Sequence, residues 1–169
     1  MAPRFPEPQW FVALGRLMAD RGELFQRIGY VETRFVVRVL ADENSAGPGQ
    51  DTEQRKETER KVIEQDTEQN SGVAMEGYAL TAASVLAPGE TPSFDPDFII
   101  CARRAVWLRM LDEIAHNGRP DLRHTLNSLA LMGDELWLES TDQLREDKFY
   151  RFNQSLQEFF NLAAHLPAD

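Results

Sequence analysis

Two hydrophobic periods alternate along this chain. Trp10, Phe11, Leu14, Leu17 and Met18 fall on one face when plotted at about 100° per residue, which predicts a helix over residues 7–19. Pro6 and Pro8 suit a helix start, because the amide that proline lacks would have no partner there, and Glu7 suits the positive end of the helix dipole. Residues 23–28 can add one or two further turns between Gly22 and Gly29. From Val31 the period becomes two. Val31, Thr33, Phe35, Val37 and Val39 point one way, with Glu32, Arg34 and Arg38 opposite. Such a strand has one wet face, which favours an antiparallel sheet covered by helices on one side.

Residues 42–72 break both patterns. The stretch carries Val62 and Ile63 as its sizeable apolar groups, so most of it cannot face a core. It reads as a charged, solvated insert with one short edge strand over residues 61–65. The tetrapeptide Asp-Thr-Glu-Gln occurs at Asp51 and again at Asp66, too short a match to establish a structural repeat. Residues 72–85 return to apolar and small residues and predict one or two strands. A turn-rich connection follows from Ala87, and residues 97–102 predict a strand that is either buried on both faces or central beneath helices.

The third apolar face belongs to residues 103–116, where Val106, Trp107, Met110, Leu111 and Ile114 lie within about 140° of helical arc. Gly118 and Pro120 end that helix. Asp121 is placed to cap a short helix reaching Thr125, and residues 129–132 predict a strand stopped by Gly133. Beyond it two readings stand. Asp134 caps a short helix holding Leu136 and Trp137, or residues 135–140 continue the strand past a bulge. Phe149, Phe152, Leu156, Phe159, Phe160 and Ala163 share one sector of about 100°, predicting an amphipathic terminal helix over residues 146–165.

A length of 169 residues fits one domain with one core. The net charge of -10 opposes phosphate backbones and anionic headgroups, so nucleic acid is not an expected partner. The single cysteine, Cys101, excludes an intrachain disulfide and sits among apolar neighbours like a small buried hydrophobe. The opening residues lack the apolar run of a signal peptide, and nothing approaches the ~20 apolar residues of a membrane span. A soluble, cytoplasmic protein without stable membrane insertion is expected.

Candidate chemistry is sparse. His116, His124 and His165 are scattered, without the spacing of a metal site or a catalytic dyad. The pairs Asp112-Glu113 and Asp134-Glu135 read as solvated or capping carboxylates, since adjacent residues of a helix do not face each other. No glycine-rich phosphate loop occurs. Cys101 as a nucleophile would need exposure and a base, and its surroundings predict burial. The residues therefore point to neither enzyme nor cofactor. What they do offer is aromatic and sulfur-rich surface on three helices, which is either a packed core or the wall of a cavity.

The order of a strand, a helix carrying Trp107-Leu108 and Met110-Leu111, Asp121-Leu122, the apolar run at residues 129–132, Gly133-Asp134 and a terminal helix resembles the second half of sterol carrier protein 2-like domains. Phe5-Pro6 with Trp10 is similar to the start of bacterial members. The resemblance spans residues 5–40 and 97–162. It implies an α+β fold: a five-stranded, mainly antiparallel sheet with helices over one face and an apolar tunnel between, in a single domain with the insert at about 42–72. It further implies that Trp10, Leu14, Trp107, Leu111 and Leu131 border the tunnel and that Phe152, Leu156, Phe159 and Phe160 form its lid. The implied activity is non-catalytic binding or transfer of a sterol, fatty acyl chain or similar lipid, with a partner enzyme or a second copy as further candidate partners. The alternative is an assembly protein with a dry core that uses its terminal helix or charged insert.

Overall fold

The computed structural model describes residues 2–42, 67–86, 90 and 94–167. It contains α1 (Pro8–Asp20), α2 (Gly22–Ile28), β1 (Val31–Leu40), β2 (Thr67–Gly77), β3 (Ala79–Leu86), β4 (Phe98–Arg103), α3 (Arg104–Asn117), α4 (Leu126–Met132), β5 (Leu136–Glu139), α5 (Gln143–Arg151) and α6 (Asn153–Asn161). Single 3-10 turns lie at Leu122–His124 and Leu162–His165. The strands form one five-stranded sheet in the order β3-β2-β1-β4-β5. β1 runs parallel to β4, and the other pairings are antiparallel. The fold is therefore α+β with a mainly antiparallel sheet, as the resemblance implies.

The strand period decides which side the helices cover. Val31, Thr33, Phe35, Val37 and Val39 are all buried. Their partners across the sheet, including Val73, Met75, Phe98, Ile100 and Ala102, join the same apolar cluster as the inner residues of α1, α3 and α6. At its centre the rings of Phe35 and Phe98 stack 5.7 Å apart, and Phe149 meets Phe98 edge-on at 5.6 Å. β2 and β3 form a hairpin that turns at Gly77, whose φ of 65° is a left-handed conformation that a side chain resists.

The outer face is only partly wet. Glu32 and Arg34 are exposed, but Val36, Leu40, Ala74 and Cys101 are buried. Arg38 is held there between neighbours: it donates to Glu139 Oε2 at 2.8 Å and to Asn70 Oδ1 at 3.3 Å. A strict wet face, as its charged residues suggest, thus holds at one end of β1 only.

Three expectations change, and one open choice is decided. Residues 129–132 are helical and belong to α4, because Thr125 caps it by accepting the Ser128 amide and Gly133 ends it at φ 73°. The terminal helix is divided at Phe152, whose φ of -103° and ψ of 14° leave the helical region. β2 begins at Thr67, inside the expected insert; within it Asn70 accepts from Arg38, and Ser71 makes a 2.5 Å hydrogen bond to the Pro6 carbonyl. Beyond Gly133 the structure takes a strand, β5, paired to β4, but it continues no earlier strand across a bulge because residues 129–132 are helical. The strand expected at residues 61–65 lies outside the described residues.

One carboxylate ties the sheet to the helical layer. β1 starts before β4 does, and Asp97 takes over at that step: its amide donates to Arg34 O at 2.6 Å, while its carboxylate accepts from the Arg34 amide at 3.0 Å and the Thr33 hydroxyl at 3.2 Å. Lys148 of α5 donates to both carboxylate oxygens at 3.0 and 3.1 Å. Replacing Asp97 by Ala strands three donors, so a loss of about 2–3 kcal/mol in urea unfolding is expected. A second constraint is steric. A Cβ on Gly15 would lie 2.7 Å from Leu80 Cβ, so α1 sits against β3 with no room for a methyl group. Gly15→Ala is expected to lower stability by about 1 kcal/mol or more, reversing the gain alanine normally gives a helix; a raised melting temperature would refute the close contact.

Candidate apolar binding site

The helical layer delivers most of the expected site residues to one place. α1 buries Trp10 and Leu14, α3 buries Trp107, and α6 buries Leu156, Phe159 and Phe160. The rings touch in series. Trp10 lies 6.1 Å from Phe160, Trp107 5.7 Å from Phe160, and Phe159 5.8 Å from Phe160. Leu111 and Phe152 are half-buried and pack against this cluster from its rim. Leu131 does not join it. In a strand its neighbours would alternate, but within α4 the residues Leu126 and Leu129 take the inner side, and Leu131 is left 69% exposed.

Phe5 is the member that periodicity misses. It precedes α1, outside any helical face, yet its ring lies 5.1 Å from Trp10 and 5.5 Å from Trp107. The Ser71 hydroxyl fastens the backbone beside it through Pro6. The available signal was position: an apolar residue just ahead of a helix start commonly packs back on that helix. Trp107 is oriented as well as buried, since its indole Nε1 donates to the Arg38 carbonyl at 3.2 Å. Its polar edge is thus occupied by the sheet, and its ring faces Phe5 and Phe160.

Ionisable groups elsewhere serve the fold. Glu113 accepts the Asp121 amide at 2.8 Å and lies 2.6 Å from His124 Nδ1. Partial burial pushes its carboxyl up, but these hydrogen bonds outweigh that and hold it below the usual carboxylate range. Glu135 is lowered by its hydrogen bonds from Arg109, a two-pronged contact at 2.6 and 3.2 Å. Both acidic pairs therefore contribute a fold-holding member. Among the described residues no cluster of His, Cys, Asp or Glu is arranged to hold a metal ion, and no helix is long and apolar enough to cross a membrane.

A separate polar cleft of about 370 Å³ lies at the Asp97 end of the sheet, with Glu32, Arg34, Glu76 and Asp95 among its lining residues. Its Arg145 pairs with Asp95 and its Lys148 with Asp97, so charged groups wall it. An apolar molecule gains nothing there.

Comparison with known proteins rests on the fold. No family profile and no curated sequence matches the chain. Among solved structures, sterol carrier protein 2 matches with a TM-score of 0.59 at 18% identity, over 97% of this chain and 100% of that one. A conserved protein of Thermus thermophilus, TT1886, described as possibly a sterol carrier protein, matches with a TM-score of 0.55 at 18% identity, over 98% of this chain and 90% of that one. The chain has a sterol carrier protein 2-like fold.

Cys101 reports on the closure of the outer face. It is fully buried beneath the outer face, and burial pushes its thiol far above the ordinary cysteine range, aided by nearby Glu139. The thiol is expected to resist iodoacetamide at about pH 8 in the native protein and to react at the normal rate in guanidinium chloride. Rapid alkylation of the native chain would show that the outer face opens.

Proposed function

We propose that this protein binds an apolar ligand, a sterol, fatty acyl chain or similar lipid, between the sheet and the helices, without acting on it chemically. The observation that carries the reading is the aromatic cluster of Phe5, Trp10, Trp107 and Phe160, contributed by both ends of the chain and one central helix, within a sterol carrier protein 2-like fold. Trp10, Leu14, Trp107 and Leu111 border the ligand; Phe152, Leu156, Phe159 and Phe160 cover it. Because the rings touch, the ligand enters by displacing Phe160 and Phe5 from Trp107. Burying about 300 Å² of apolar ligand surface contributes roughly 7 kcal/mol at about 25 cal/mol per Å², less several kcal/mol of association entropy. Micromolar affinity follows. The interior is aromatic and the polar cleft is charged, which supports an apolar ligand over a polar one.

The same ring contacts favour a second reading, an assembly protein with a dry core that meets its partner through the terminal helices or the charged insert. A titration with a fluorescent fatty acid and native mass spectrometry of freshly purified protein decide between them. Saturable one-to-one binding with a change in tryptophan emission is expected, and Phe152→Asp, at a half-buried site, should weaken it about tenfold with little loss of folding. Absence of saturable binding across fatty acids and sterols would leave the dry core.

A further inference from the structure

β3 is the outermost strand of the described sheet, and its edge carries none of the usual blocks. Every second residue of such a strand turns its N–H and C=O away from the neighbouring strand, so edges are commonly kept short or guarded by lysine or proline. The opposite edge, β5, has four residues and ends at Glu139. β3 has eight, and residues 77–89 carry no charged side chain in a chain whose net charge is -10. Pro88 follows the strand instead of interrupting it. Ala79, Thr81, Ala82 and Val85 are exposed. A register shift leaves Thr81 outside the ladder with β2, where its hydroxyl donates to Ala74 O at 3.2 Å, so the regular part of the edge is residues 82–86.

Two observations select a second copy of this chain as the occupant. Ser84, at the middle of residues 82–86, has a buried hydroxyl with no hydrogen-bond partner. Antiparallel pairing of two β3 edges about a two-fold axis at Ser84 sets that residue opposite its own copy, where one hydroxyl can donate to the other, and sets Ala82 opposite Leu86. The helix above the edge is apolar as well. α1 runs over β3, its start tied through Pro6 to Ser71, which pairs with Val85, and its Gly15 set against Leu80. Val12 lies between these two fastenings and is 37% exposed, and Val85 is 43% exposed. Charges around the edge are of both signs: Arg16 and Asp20 on α1, Glu76 opposite Ala79, and Glu90 beyond the strand. We infer that two copies of this chain pair through β3, joining their five-stranded sheets into one, with Val12 and Val85 packed beside their copies on the helical side. Such a pairing supplies the edge with backbone partners and the Ser84 hydroxyl with a hydrogen bond.

Sedimentation velocity of the full chain tests it. One strand pairing with a helix contact above it lies at the small end of specific interfaces, so a dimer with a dissociation constant on the order of 10 µM is expected. The charge of -10 on each copy opposes association, so raising the salt from about 20 to about 300 mM should tighten the dimer several-fold. The double variant Ala82→Lys, Val85→Lys should weaken it about tenfold or more while keeping its circular dichroism spectrum. Both substitutions reduce the net negative charge, so repulsion between whole chains cannot account for that loss. Leu131→Lys, on α4, should leave the dimer unchanged. Backbone amides of residues 82–86 should exchange more slowly as concentration rises, which reads the same edge in the unaltered chain even if the β3 variant does not fold. A chain still monomeric at about 200 µM overturns the inference. So does a dimer that the folded β3 variant keeps, that Leu131→Lys abolishes or that salt weakens, and so does amide protection that avoids β3. None of these readings involves a lipid, so the outcome stands apart from the proposed ligand role.

Discussion

Phe160 holds the two ends of the chain together. Its ring meets Trp10 from the first helix and Trp107 from the central one, and through Trp107 it reaches Phe5 at the start of the described chain. No single contact of this kind is strong, but several aromatic side chains buried together dominate the apolar area removed from water. Remove the cluster and α1, α3 and α6 lose their common surface. The sheet alone could not substitute, because its inner row is apolar and must itself be covered.

Around this cluster the polar residues are placed for support. Asp97 completes the edge of β1 where β4 has not yet begun, and Lys148 brings α5 to the same carboxylate. Arg38 of β1 reaches from β2 across β4 to β5 on the outer face while its carbonyl anchors the Trp107 indole. Glu113 steadies the turn after α3 through Asp121 and His124. Asp97 and Lys148 also line the polar cleft at that end of the sheet. Each of these polar groups is held by hydrogen bonds or ion pairs to its neighbours.

Much of this was legible in the residues because periodicity reflects burial directly. The one-sided patterns of α1, α3 and the terminal helices, and the alternation of β1, are local facts that survive into the fold. The same local logic failed at residues 129–132. An apolar run of four residues is compatible with strand or helix, and the choice was made by the Thr125 cap and by the need to bury Leu126 and Leu129 together. Leu131 was lost as a wall residue for that reason. Phe5 escaped periodicity because it precedes α1 and lies on no helical face, and its contact with Trp107 joins positions far apart in the chain.

By itself the sequence determined which faces must be hidden and that charge opposes anionic partners. It did so because hydrophobic period and net charge are properties of the chain before it folds. Only the tertiary structure decided that Trp10, Trp107 and Phe160 meet, that β1 lies parallel to β4, that Ser71 and Asn70 enter the sheet, and that Leu131 faces solvent. Those outcomes depend on pairings between distant residues, in which a buried polar group or an apolar face takes whichever partner the whole arrangement supplies.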